Sequence, residues 1–249
     1  MRVIAMSEKC RWLHEQLERL RTVKHLNLDL KTLPENGIYF FYEESEIWGH
    51  GGDKPRIVRV GTHRDGNFRN RIAEHYLINE TKMDFDKNKP KPSDRSIFRK
   101  NIGRALLNKS EDDYLETWEI DFMSREKREK FSHLRDISRE REMEAQITEL
   151  LRTKFFFRFI ELEGQTHRMG KTGLESHLIG TLAQCPHCRA SSNWLGKWSP
   201  KEQISKGKLW LIQHLKADPI NEKDRGTILE AIKNTKRPTA DRRAVNAHV

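Results

Sequence analysis

The sequence predicts an α+β fold in which a small, mainly antiparallel three-stranded sheet is flanked by helices, with a large helical insertion and helical extensions at both ends. Two observations predict it. Apolar residues concentrate in three short runs, 38–42, 56–61 and 155–162, rich in β-branched and aromatic side chains and bounded by turn residues. The intervening stretches carry their apolar residues at helical spacing among many charges.

Taken in order, residues 7–22 place Trp12, Leu13, Leu17 and Leu20 among charged neighbours, which predicts an N-terminal helix. Pro34, Asn36 and Gly37 then punctuate the chain before the first strand. Gly49, Gly51, Gly52 and Pro55 separate that strand from the second, so the two read as an antiparallel pair. Asn67 is an expected N-cap for a helix to about residue 77, with Arg71 and His75 one turn apart on one face. Residues 82–95, with Pro90 and Pro92, read as a loop leading to a helix at 97–107. Residues 114–122 read as a strand. Residues 125–153 read as a charged helix whose buried stripe is Leu134, Ile137, Met143, Ile147 and Leu150.

The run at 155–162 is the expected central strand, because nearly every position is apolar. A helix at 173–183 follows, with Glu175 near its start, then a Trp-bearing helix at 208–215 and a basic tail from Lys233. The division this suggests is an N-terminal extension at 1–33, a main domain at 34–199 with an insertion at about 77–154, and a C-terminal region at 200–249.

Composition narrows the partners. In 249 residues there are 47 Lys plus Arg against 37 Asp plus Glu, a formal charge of +10, which makes an anionic polymer a natural partner. No apolar run approaches the roughly 20 residues of a spanning helix, so no membrane partner is expected. The apolar start, residues 1–6, is shorter than the roughly 7–15 residues of a signal-peptide core. Three cysteines suit a reducing compartment better than a disulfide framework, and a cytoplasmic location is expected.

Gly37, Ile38 and Tyr39 on the first strand, with Arg59, Val60 and Gly61 on the second, resemble the two signature tripeptides of the GIY-YIG nuclease superfamily. Further positions carry the resemblance: Arg71 and His75 on the next helix, Glu175 on the helix after the Phe-rich strand, and Asn193 beyond it. It spans about residues 36–198, and the insertion is of a kind found among restriction-like members; the segments at 96–107 and 191–199 are similar to an uncharacterised bacterial branch. What the resemblance implies is a metal-dependent endonuclease cutting DNA, in restriction or phage defence, with Tyr39, Arg59, Arg71, His75, Glu175 and Asn193 in the active site. Two departures stand out. Arg59 occupies a position where most members have Tyr, and Arg71 lies two residues further from Gly61 than in many relatives, which leaves Arg69 as an alternative counterpart.

The chemistry suits these residue types. Phosphodiester hydrolysis builds negative charge on nonbridging oxygens, and a divalent cation, Mg²⁺ (or Mn²⁺), with few protein carboxylates and several retained waters would meet it; Glu175 is the implied metal ligand. Arg71 is able to hold a phosphate oxygen through two N–H groups. An unperturbed phenol, with a pKa of about 10, is a poor base at neutral pH. Either His75 relays a proton from Tyr39, or His75 is itself the base and Tyr39 orients the water. Asn193 would fix the site through hydrogen bonds.

Lys91, Arg95, Arg99, Lys100 and Arg104, with Lys87 and Lys89, concentrate positive charge in the insertion and are expected to form a DNA clamp. Cys185 and Cys188, two residues apart, resemble half a zinc site that Cys10 and His177 or His167 would complete only if folding brought them together; the residues alone favour an ordinary loop with free thiols. Pairing into a homodimer is open, since no dimer surface is legible. Two other functions compete: a nucleic-acid-binding protein that kept the fold and lost catalysis, which the Arg59 replacement makes conceivable, and an RNA-directed nuclease.

Overall fold

A computed structural model describes residues 2–236. In chain order the strands are β1 (Val23–Lys24), β2 (Gly37–Ile47), β3 (Pro55–Gly61) and β4 (Phe155–Glu161). The helices are α1 (Arg2–Leu17), α2 (Phe68–Tyr76), α3 (Pro92–Arg95), α4 (Ile97–Lys109), α5 (Leu115–Glu119), α6 (Arg125–Phe131), α7 (Ile137–Lys154), α8 (Gln165–Arg168), α9 (Leu174–Ala183), α10 (Glu202–Ser205) and α11 (Glu222–Lys236).

The fold is α+β with an antiparallel sheet ordered β1-β4-β2-β3. Three of its strands are those expected from the apolar runs. The fourth, β1, is only two residues long and too short to leave a periodic signal. Alternation along β2 assigns each side chain to a face. Ile38, Phe40 and Tyr42 join Cys10, Leu13 and Leu17 of α1, Leu178 and Ile179 of α9, and Ile228 and Ile232 of α11 in one core. Tyr39 and Phe41 join Phe68, Ile72, Phe98, Ile147, Phe157 and Phe159 in the other. Both helical extensions therefore cover a sheet face.

A register shift between Phe41 and Tyr42 inserts Val58 as an extra residue in β3: Phe41 pairs with Arg59, while Tyr42 pairs with Ile57. A bulge re-aims side chains locally. Here it leaves Arg59 in the same register series as Tyr39 and Phe41, on the second core's side, while Ile57 packs in the first.

Three local expectations are corrected. Residues 114–122 are not a strand; Leu115–Glu119 is helical. Tyr114, Trp118 and Phe122 recur every four residues, and all three are buried, Trp118 against Gly103 of α4, where an added Cβ would lie 2.5 Å from the indole Cζ2. The stretch 125–153 is two helices, and the buried stripe of the longer one is Glu140, Glu144, Ile147 and Leu151, with Leu134 45% exposed. The sequence pattern counted those glutamates as surface because their partners, Arg135 and Arg99, are close only after folding. The segment at 208–215 is irregular, not helical. It runs along the outer edge of β3, where the Trp210 N–H donates to the Val58 carbonyl at 2.8 Å and covers an otherwise open sheet edge. The tail beyond Lys236 lies outside the described residues.

Candidate active site

Tyr39 and His75 form the centre. Tyr39 faces Gly61 across the β2–β3 ladder, and a Cβ on Gly61 would sit 2.5 Å from the phenol Cε2 and closer still to its oxygen. Glycine at this position is what lets the phenol lie over the neighbouring strand. The ring is enclosed edge-on by Phe41, Phe68 and His75, with centroids 5.7, 6.0 and 5.3 Å away.

His75 sits on the buried face of α2, with its Nε2 3.0 Å from the Tyr39 hydroxyl and its Nδ1 2.8 Å from Ser96 Oγ. Burial, reinforced by the charges of Arg71, Arg59 and Arg99, pushes its pKa well below 6.5. A neutral ring is therefore in place. The arrangement consistent with it has Tyr39 O–H donating to Nε2 and Nδ1–H donating to Ser96. Ser96 also caps α4, accepting from the Arg99 N–H at 3.4 Å.

Arg59 is buried, its Nη1 donates to the Trp210 carbonyl at 2.7 Å, and its guanidinium stacks 4.9 Å from the Phe98 centroid. Its Nε is buried without a partner. Burial lowers its pKa first of all, and the charges of Tyr39 and Glu175 act in the opposite sense, which puts all three groups in one electrostatic neighbourhood. Arg71 acts on the same neighbourhood as a like charge. Its Nη1 is shared between Glu74 Oε2 and the Arg95 carbonyl, each at 2.7 Å. Arg69 turns away to the Leu33 carbonyl at 2.8 Å, so of the two arginines only Arg71 belongs with the site.

Glu175 stands in the first turn of α9, and its Oε1 accepts the Thr62 N–H at 3.1 Å, just beyond the end of β3. Burial raises its pKa, against the lowering influence of Arg59 and of that N–H. With Arg59 it lines a cleft of about 180 Å³, together with Asn101, Trp210, Gln213 and His214. Oε2 has no hydrogen-bond partner among the described residues. The lining also includes Ile97, Ile179, Leu211 and Ile212, so the polar groups are set among apolar ones; an uncommitted carboxylate oxygen with space for water suits a hydrated divalent cation.

Other expectations fail here. Asn193 is exposed, and among the described residues no hydrogen bond joins it to Tyr39, Arg59, His75 or Glu175. The amide lining the cleft is Asn101 of α4, whose carbonyl oxygen accepts from Arg104 at 2.6 Å. Lys91, Arg99, Lys100 and Arg104 are buried and paired, with Asp94, Glu144, Asp94 and Glu119 respectively, so they cannot lie along a phosphate backbone. Of those five cations of the expected clamp, Lys91, Arg95, Arg99, Lys100 and Arg104, only Arg95 is exposed. Lys87 and Lys89 are exposed beside it in sequence. Ser96, Thr62, Asn101 and the 210–214 segment went unrecognised in the sequence. Only Ser96 left a signal there, as a cap before an apolar helix.

Searches among curated proteins and among solved structures returned no match. A family profile described as GIY-YIG domain matches residues 3–238, a span that includes α1, α11 and every residue of the site. With nearly the whole chain matched, this protein belongs to the GIY-YIG domain family, and its domain is of nuclease type.

Proposed function

We propose that the protein is a metal-dependent endonuclease that hydrolyses DNA phosphodiester bonds at the cleft between β3, α4 and α9. The observation that carries this reading is the Tyr39–His75 hydrogen bond placed on the Arg59 side of the sheet, next to a carboxylate with one open oxygen. Glu175 would hold Mg²⁺ (or Mn²⁺), with water and the Asn101 side chain completing the neighbourhood. When bound, such a cation offsets charge accumulating on phosphoryl oxygens.

The chain's own groups do the rest. Arg59 lines the cleft and offers the charge of its fixed guanidinium to a phosphate oxygen. It thereby supplies, as a charge, part of what a phenol supplies in relatives that carry Tyr at this position. Neutral His75 accepts from Tyr39 and so turns the phenol's lone pairs towards the attacking water. Protonation of His75 would set a cation among Arg59, Arg71 and Arg99, which favours His75 as the group that orients Tyr39 over a standing base. Arg95, exposed at the mouth of the same region, is the insertion's candidate phosphate contact.

The test is incubation of the purified protein with labelled double-stranded DNA, single-stranded DNA and RNA, in Mg²⁺, Mn²⁺ or EDTA, beside Glu175→Ala. Expected are DNA fragments with either metal, none in EDTA, and a rate roughly 10²-fold lower for the folded variant. Cleavage of RNA alone would replace the substrate. Tight binding with no cleavage in any metal would leave a binding module and overturn the nuclease.

A further inference from the structure

Cys10 of α1, His50 of the β2–β3 loop, and Cys185 and Cys188 after α9 come together although up to 178 residues separate them in sequence. Their ligand atoms all lie within 4.8 Å of one another. Cys10 Sγ and Cys188 Sγ are 3.7 Å apart, and Cys185 Sγ and His50 Nε2 are 3.5 Å apart. Neither is a covalent distance: a disulfide would need about 2.05 Å, and all three thiols are free. A tetrahedral zinc ion with Zn–S near 2.3 Å and Zn–N near 2.05 Å separates sulfurs by about 3.8 Å and sulfur from nitrogen by about 3.6 Å. These two spacings match edges of that tetrahedron.

We propose that Cys10, His50, Cys185 and Cys188 form a structural zinc site. The surroundings are built for it. The Gly49 N–H points at Cys188 Sγ from 3.4 Å, a donor suited to a thiolate. Gly49 itself runs so close to the cysteine loop that a Cβ there would meet the His187 carbonyl and lie 2.8 Å from Cys188 N. His14, another nearby imidazole, is already committed. Its Nδ1 lies 2.9 Å from the Cys10 carbonyl, and the Ile57 N–H approaches its Nε2 at 3.2 Å, so it braces Cys10 and is excluded from the ligand set. Three thiolates and a neutral imidazole around Zn²⁺ carry a net charge of −1, and the Lys208 ammonium, bonded to the Cys185 carbonyl, stands beside them. Binding releases the thiol protons to water and changes no oxidation state.

The consequence reaches the active site. Glu175 lies in the first turn of α9 and Cys185 follows the helix's last residue by two, so the ion anchors the far end of the helix that presents the carboxylate. It also ties α1 and the β2–β3 loop to that anchor. The assignment does not depend on the nuclease reading.

Elemental analysis of the full chain, purified under reducing conditions without chelator, should find about one zinc per chain, released when the thiols are titrated with a mercurial reagent. Glu175→Ala should retain that zinc, and Cys185→Ser with Cys188→Ser should lose it. Should the double variant fail to fold, cobalt replaces it as the probe: Co²⁺ added to stripped wild-type protein should give the intense visible bands and thiolate charge transfer of a tetrahedral sulfur site. Less than roughly a tenth of an equivalent of zinc together with no such spectrum would overturn the proposal, as would loss of zinc in Glu175→Ala. Zinc without cleavage would sink the nuclease and leave this site standing.

Discussion

Gly61→Ala adds one methyl group at the point where two strands and the active-site phenol meet. That carbon would start 2.5 Å from Tyr39 Cε2 and nearer to Cζ and the oxygen, against an ordinary carbon contact of about 3.5–4.0 Å, so the ring must retreat by roughly 1 Å. It has nowhere easy to go, since Phe41, Phe68 and His75 enclose it and the ring is buried. Overpacking of this kind costs about 1–3 kcal/mol, which in a chain of this size lowers Tm by roughly 2–12 °C. A 1 Å displacement also opens the 3.0 Å hydrogen bond to His75, and misplacement on that scale costs about 10²-fold in rate. The assay pairs a thermal melt with single-turnover cleavage of DNA. Tyr39→Phe is the control, because it keeps the packing and removes only the hydroxyl, so it should lose rate with a smaller change in Tm. A Gly61→Ala protein that melts and cuts like wild type would refute the reasoning, since the phenol would then be free to move without consequence.

Three further outcomes follow, two of them from buried charge. Burial raises the Glu43 pKa from 4.5 to about 7, although Trp210 and Trp194 both donate to it. Because the folded chain holds this proton more tightly than the unfolded one, the contribution is fully present below about pH 4.5 and is lost as the pH rises through 7. The shift is worth roughly 3 kcal/mol. Glu43→Gln, whose amide oxygen still accepts from the indoles, should therefore gain stability relative to wild type by up to that amount between pH 4 and pH 8 in chemical denaturation. A pH-independent difference would show that folding does not shift the Glu43 pKa. Arg99 donates to both the side chain and the carbonyl of Glu144, with both side chains fully buried, and also to the His75 carbonyl. Arg99→Met should cost about 3–5 kcal/mol by stranding the carboxylate, yet leave the salt dependence of DNA binding unchanged. Arg95→Ala should do the reverse, leaving stability intact and reducing the log–log salt slope by about 0.9 if that side chain contacts one phosphate. An unchanged slope for Arg95→Ala would remove the insertion from the DNA surface.

What the sequence determined by itself was local. Runs of β-branched and aromatic residues specify strands because alternate side chains must each find a face, and Gly37, Tyr39, Gly61, His75 and Glu175 were legible through their resemblance to the motifs of the GIY-YIG superfamily. Tertiary structure decided which charges meet. Lys91, Arg99, Lys100 and Arg104 read as a clamp in one dimension, since a cation's partner 45 residues away, as Glu144 is from Arg99, leaves no mark on periodicity. Asn101 takes a place in the cleft that motif order gave to Asn193, because α4 packs against the Arg59 side of the sheet while residue 193 stays exposed. His50 joins the cysteines, where the sequence offered only His167 or His177 as candidates and favoured an ordinary loop with free thiols, for the same reason. Spacing along a chain constrains neighbours within a few residues, but burial and Coulomb interactions act through space, and only the folded sheet sets those distances.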